Sequence, residues 1–278
     1  MDVLNIPVPS ELFQCWRDWL APARQPFFLT GAEADRLGLE TVPRTSVTFM
    51  PEDRDTFTDW NVEAEAGQMA WLTLEDVDAL PAGMRRELLR VQVRHGRGNV
   101  PLGRHFADLL PGLPAPRFLW RRGHLTDAVL ARLVSQGGRA CQRRDVPEAV
   151  WTRSVGILPG ARALAGTFPA GSAGNCFGTA MGAAGVAGAA DEWMQREPFE
   201  AFLRERTVPG GVDDRPGTVL VWRSADGLAQ HAAVTLGGGW VLHKPAQTWW
   251  TPRVVLPVRD VKAVSRMLGW RLERRCLG

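Results

Sequence analysis

Between Gly171 and Ala190, thirteen of the twenty residues are Gly or Ala. That run restricts its surroundings more tightly than any other stretch of the chain. A Gly inside a helix costs about 1 kcal/mol relative to Ala, so a helix forms here only where packing offsets the loss. Gly178, Gly182 and Gly185 stand at i, i+4 and i+7 and share one face. A face without side chains admits another backbone, or a sheet, at close range. The run therefore predicts a central, buried helix. A lipid-packed GxxxG helix is the rival reading, and the shortness of the segment and its charged flanks weigh against it.

Cys176 stands at the mouth of that helix, after the flexible GSAG. Ser172 and Asn175 are the candidates to cap the free N–H groups or to serve an oxyanion. A thiolate in the first turn meets the positive end of the helix dipole, which lowers its pKa. The unpaired amides there suit a developing oxyanion. This is the geometry a thiol nucleophile needs, with an inert buried thiol as the alternative. The nucleophile reading expects Cys176 to alkylate faster than Cys15, Cys141 and Cys276 at mildly acidic pH.

A cysteine nucleophile needs a base, and the base needs an orienting group. Two of the five histidines, His231 and His243, bracket QHAAVTLGGGWVLHKP, which reads as a β-hairpin over three glycines. They are twelve residues apart. An odd loop centred near Gly238 places both imidazoles on one face, with His243 opposite Ala233 and diagonal to His231. A two-residue turn at Gly237 and Gly238 puts them on opposite faces. A Cys and two His also suit zinc, but no ligand pair stands at the short spacing zinc sites usually show. The reading is of no metal and no cofactor. Lys244 is a candidate to meet a substrate carboxylate, with a solvated rim lysine as the alternative. Trp249 and Trp250 are candidates for a cleft wall, with one ring in the core and the other at an edge as the alternative.

Elsewhere SELFQCWRDWL reads as a helix with Ser10 as N-cap, and Leu74–Val93 as one or two helices with Pro81 starting the second. DLLPGLPAPRF (108–118) is the most linker-like stretch. LTDAVLARLVSQGG and DVPEAVWTRSVGIL read helical, as does DEWMQREPFEAFLRERT, broken or restarted at Pro198. PGTVLVWR reads as a strand, and VRDVKAVSRMLGWRL as a closing helix. The predicted fold is α+β, with a mixed, largely helical region over 1–145 and a second domain over 146–278. The N-terminal region is read as a recognition module or a lid. Within it His95, His105 and His124 lack a nearby Cys or carboxylate pattern, and Arg94, Arg97 and Arg104 beside them offer an anion site as the alternative.

A formal net charge of +3 over 278 residues gives no reason to expect a nucleic-acid or membrane partner. RRGH, CQRR and ERR read as solvated faces. The basic side is almost entirely arginine, with lysine only at Lys244 and Lys262. No signal peptide or spanning segment is legible, so a cytoplasmic protein with free thiols is expected. Its expected partner is a peptide or a small amide-containing substrate, and the oligomeric state is open.

GNCFGTA, then PGTVLVW, then HAAVTLGGGWVLH, in that order, resembles the NlpC/P60 cysteine hydrolases. The resemblance covers roughly residues 146–260. It implies a papain-like domain whose central Cys-bearing helix packs on a small antiparallel sheet. It also implies Cys176 as nucleophile, His231 as base and His243 as the group that orients the imidazole. The activity implied is cysteine peptidase or amidase chemistry, with peptidoglycan stem peptides as substrate by analogy. Asn175-Cys176-Phe177-Gly178 stands where the family often has Asp-Cys-Ser-Gly, Thr218 replaces its Asp, and the chain has no tyrosine. These departures leave open acyl or amide transfer, an amidase on a non-wall substrate, and a non-catalytic binding protein on a decayed hydrolase scaffold. The permuted lipid-acyltransferase relatives, with histidine before cysteine, do not fit the order.

Overall fold

The computed structural model describes residues 1–113 and 117–278, so residues 114–116 of the predicted linker lie outside the described residues. The fold is α+β with antiparallel sheets. Two compact units are present, Pro9–Leu133 and a discontinuous one of Met1–Val8 with Val134–Gly278. This corrects the expected 145/146 boundary. Strands β1 (Asp2–Val3) and β2 (Ile6–Pro7) form a hairpin whose Ile6 enters the core of the second unit. The Cys141 amide donates to the Leu4 carbonyl at 2.8 Å, and the Gln142 amide to Val255 at 2.9 Å. Residues 1–8 and 134–145 thus both belong to the unit that carries Cys176, and residues 1–8 reach it across the whole of Pro9–Leu133 in sequence.

In the unit Pro9–Leu133, α1 (Ser10–Leu20) buries Phe13, Trp16 and Leu20. Pro9, extended at φ −61°, is its N-cap, and Ser10 is the first helical residue rather than the cap. A three-stranded sheet of β3 (Gln25–Leu29), β4 (Val42–Pro43) and β5 (Gln68–Leu72) runs in the order β3-β5-β4. It packs with α2 (Gly31–Leu37), α4 (Leu74–Ala79) and α5 (Ala82–Arg94); α3 (Pro51–Phe57) precedes β5. Pro81 caps α5, and its preset φ makes the break between α4 and α5. Helix α6 spans Asp127–Ser135, stopping before Gly137 and Gly138.

The second unit carries α7 (Glu148–Ser154), α8 (Ala161–Leu164), α9 (Cys176–Ala183), α10 (Arg196–Arg206) and α11 (Val258–Val264). Pro198 falls in the first turn of α10, where its missing N–H costs nothing, so the helix does not break there. The strands are β6 (Thr207–Pro209), β7 (Pro216–Arg223), β8 (Ala229–Gly237), β9 (Trp240–His243), β10 (Val254–Pro257) and β11 (Arg271–Leu277). They form one antiparallel sheet in the order β10-β9-β8-β7-β11-β6. The expected closing helix over 258–272 is therefore α11 followed by the start of a strand. Val219, Leu220 and Val221 of β7 and Ala232, Ala233 and Val234 of β8 are all buried, because both faces of the sheet are covered. Helices α7 and α9 pack on β8.

Helix α9 is shorter than the Gly/Ala run, since Gly185 at φ +89° turns the chain out of it. A Cβ on Gly178 would lie 2.1 Å from the Ala189 carbonyl oxygen, and one on Gly182 would lie 2.8 Å from Ala190 Cβ. The bare face thus receives the chain's own return through Gly188–Asp191, while the opposite side meets the sheet. Gly178→Ala forces backbone against backbone and is expected to cost about 3 kcal/mol. A denaturant midpoint unchanged from wild type would contradict this packing.

Candidate functional site

Asn175, extended at φ −129°, caps α9, with its Oδ1 accepting from the Gly178 amide at 2.9 Å. Its Nδ2 donates to the Met194 carbonyl at 2.7 Å, and its own carbonyl accepts from the Thr179 hydroxyl at 2.8 Å. Asn175 is therefore the cap and is fully engaged, which removes its side chain as an oxyanion donor. Ser172 is buried and does not cap the helix. The return segment is held by Arg253, itself buried, whose Nη2 donates to Ala190 O at 2.5 Å and to Asp191 Oδ1 at 2.8 Å. Sequence reasoning passed over Arg253 because its partners lie more than sixty residues away. Phe177 turns inward and stacks on Phe199, with centroids 4.3 Å apart. The unusual Asn-Cys-Phe-Gly sequence thus places its ring in the core.

The sheet supplies the imidazoles. Trp222 pairs with His231, and Ala233 pairs with His243, the diagonal arrangement expected. The route to that register differs from the expected odd loop. Gly237 pairs with Trp240 across a two-residue turn of Gly238 and Gly239, and a bulge between Thr235 and Gly237 shifts the register by one. Without the bulge, this turn would place the histidines on opposite faces. All three glycines hold positive φ, at 90°, 59° and 79°. The rings meet edge to face at 87° with centroids 4.9 Å apart, and their Nε2 atoms lie 2.7 Å from each other.

That contact holds one proton. When His231 donates it, His231 Nδ1 is bare and can act as a base, and His243 carries its own proton on Nδ1. When His243 donates, the roles reverse and His231 Nδ1 is already protonated. His243 Nδ1 is buried and without a hydrogen-bond partner. An acceptor reaching it selects the tautomer in which His231 is the base.

Cys176 opens α9, which packs against β8 and β9. Among the described residues its thiol makes no side-chain hydrogen bond to either ring. Burial pushes the thiol up to about 11, against the opposing pull of the Ala232 and Phe177 amides and the Lys244 charge. Cys176 is only partly buried, and solvent at its exposed edge works against that rise. Desolvation thus works against the lowering expected from the helix terminus. Burial also pushes His231 down to about 4, and burial, His231 and Lys244 push His243 well below the ordinary imidazole value. These directions favour a neutral thiol beside two neutral rings at neutral pH.

Lys244 is fully buried, which corrects both readings of it as a rim or substrate-binding lysine. Its ammonium donates to the carbonyls of Ala246 at 2.7 Å, Thr248 at 3.0 Å and Thr251 at 2.9 Å, and so organises the loop after β9. Trp249 is fully buried and Trp250 half-buried, edge to face at 4.9 Å. Of the two, Trp250 alone lines a cavity of about 230 Å³, together with His243, Pro245, Ala246 and Arg139. A larger open groove of about 920 Å³, walled by Asp213, Arg259, Lys262 and Arg274, contains none of the three candidate catalytic residues.

No protein-family model matches the chain, and no curated protein and no solved structure matches it either. Among the described residues, no helix is long and apolar enough to cross a membrane.

The depressed histidines set an acid limit on stability. In the unfolded chain imidazole takes up a proton near 6.5, while folded His231 resists until about 4. Stability is therefore complete above 6.5 and is lost as pH falls toward 4, by roughly 3 kcal/mol for this ring. Melting temperature measured across pH 4–7 is expected to fall on the acid side, and the fall is expected to be shallower in His231→Gln. Identical slopes in the two proteins would refute the assignment.

Proposed function

We propose that the chain is a cysteine-dependent amide hydrolase with a papain-like domain of NlpC/P60 type. The observation that carries this is the 2.7 Å Nε2–Nε2 contact of His231 and His243 on strands packed against the helix that Cys176 opens. In this reading Cys176 is the nucleophile, His231 the base and His243 the orienting group, and the contact supports the last two roles. Because the resting groups are neutral, the thiol proton passes to His231 Nδ1 as sulfur attacks the amide carbonyl. The first-turn amides of Cys176 and Phe177 receive the oxyanion. The His231 imidazolium then gives its proton to the departing amine. Water, deprotonated by the same ring, cleaves the thioester and returns the thiol. Backbone amides at this position make a tyrosine unnecessary. Peptidoglycan stem peptides are the proposed substrate class, with another amide substrate or an acyl acceptor in place of water as the alternatives.

Muropeptide digestion followed by mass spectrometry tests the reading. Cys176→Ala is expected to abolish cleavage, and His231→Ala to lower it by about 10²–10⁴-fold. His243→Ala leaves base and nucleophile in place and is expected to lower kcat less than His231→Ala. The missing hydrogen bond between thiol and imidazole favours one rival, a non-catalytic binder on a hydrolase scaffold. A folded Cys176→Ala protein with full biological effect would establish that rival.

The neutral resting pair also fixes a pH signature. Alkylation of Cys176 by iodoacetamide is expected to climb steadily from pH 7 to pH 10. A plateau between pH 5 and pH 8 would instead reveal a preformed ion pair.

A further inference from the structure

The unit Pro9–Leu133 brings together a histidine and three carboxylates that are far apart in sequence. His95 was read without carboxylate neighbours, but the fold supplies them. Its ring is buried, and Nε2 lies 2.8 Å from Glu33 Oε2. Glu33 is itself buried, and its carboxylate also accepts from the Thr30 amide at 2.8 Å and pairs with Arg94. Glu33 thus engages Nε2 and leaves Nδ1 as the ring nitrogen open to a further ligand.

That Nδ1 is buried and has no hydrogen-bond partner. It faces Glu63 Oε2 at 3.7 Å and Glu65 Oε1 at 3.9 Å, and the three atoms lie within 4.8 Å of one another. A cation seated between these three atoms would take a ligand from each. The backbone holds the arrangement. The Glu63 amide donates to the His95 carbonyl at 3.1 Å, and the Ala66 and Gly67 amides close the turn onto the Glu63 and Glu65 carbonyls. Metal–ligand bonds of roughly 2.0–2.2 Å bring neighbouring ligand atoms to about 3–3.5 Å. Glu63 and Glu65 are exposed, so small rotations of their side chains close the remaining gap.

We propose that Glu63, Glu65 and His95 form a site for one borderline divalent cation of the Zn²⁺ class, with Glu33 as the carboxylate that orients His95. An imidazole with two carboxylates suits such a cation better than Mg²⁺ or Ca²⁺, and three protein ligands leave positions for water. A carboxylate behind a ligating imidazole fixes its tautomer and raises its basicity.

Isothermal titration of the full chain with Zn²⁺ tests the site, with Cys176→Ala as the control for the other thiol and histidine cluster. One site is expected, retained in Cys176→Ala. Glu63→Gln with Glu65→Gln changes exposed side chains, leaves the fold intact by circular dichroism, and is expected to weaken binding at least about 30-fold. Glu33→Gln, acting through His95, is expected to weaken it by about 10–100-fold. Co²⁺ is expected to give visible d–d bands without thiolate charge transfer. Wild-type binding weaker than roughly 1 mM would overturn the proposal. Unchanged affinity in the double variant, or loss of binding in Cys176→Ala, would overturn it as well.

Discussion

Helix α9 sits between its own returning chain and the sheet, at distances only a bare backbone allows. The Ala189 carbonyl occupies the space where a side chain on Gly178 would begin, and the Gly160 amide donates to the Ala183 carbonyl at 3.1 Å on the same helix. These contacts replace the helical propensity that the glycines give up. They also leave little freedom in where Cys176 stands, because Asn175 ties the start of the helix to Met194 while Arg253 ties the return loop. Position of the sulfur is thus a property of backbone packing, and the thiol needs no partner of its own to be held in place.

The same enclosure governs charge. Desolvation favours the protonated thiol and neutral rings, and so works against a standing ion pair at the site. Close by, the buried Lys244 ammonium donates to three backbone carbonyls. An ammonium with rotatable donors suits three converging oxygens, where the planar fork of arginine does not. In a chain whose other cations are almost all arginine, that position calls for lysine on geometric grounds.

Local patterns were legible in the sequence. The helix at Cys176, the strand PGTVLVWR and the hairpin with its two histidines follow from spacing and turn residues. Even the His register was legible, although two compensating irregularities produce it, a shorter turn and a bulge. Contacts between remote segments were not legible. The strand RLERRCL has charged residues on both faces and enters the sheet only because β6 and β7 pair with it. Lys244 reads as a surface residue until the loop folds over it. His95 looked isolated because Glu33, Glu63 and Glu65 lie about thirty to sixty positions upstream. Arg97, considered for anion binding, is buried between Phe27 and Phe57, with Nε donating to the Pro26 carbonyl at 2.8 Å.

The strand order carries a consequence for how the chain is made. On the ribosome, Pro9–Leu133 is complete before any strand of the six-stranded sheet has been synthesised, while residues 1–8 wait for neighbours beyond Val134. Strand β11 lies between β7 and β6, so both wait for Arg271–Leu277, the last strand to emerge. Until then a long apolar edge of β7 stays open, and nascent chains crowded on one messenger have that edge to pair with each other.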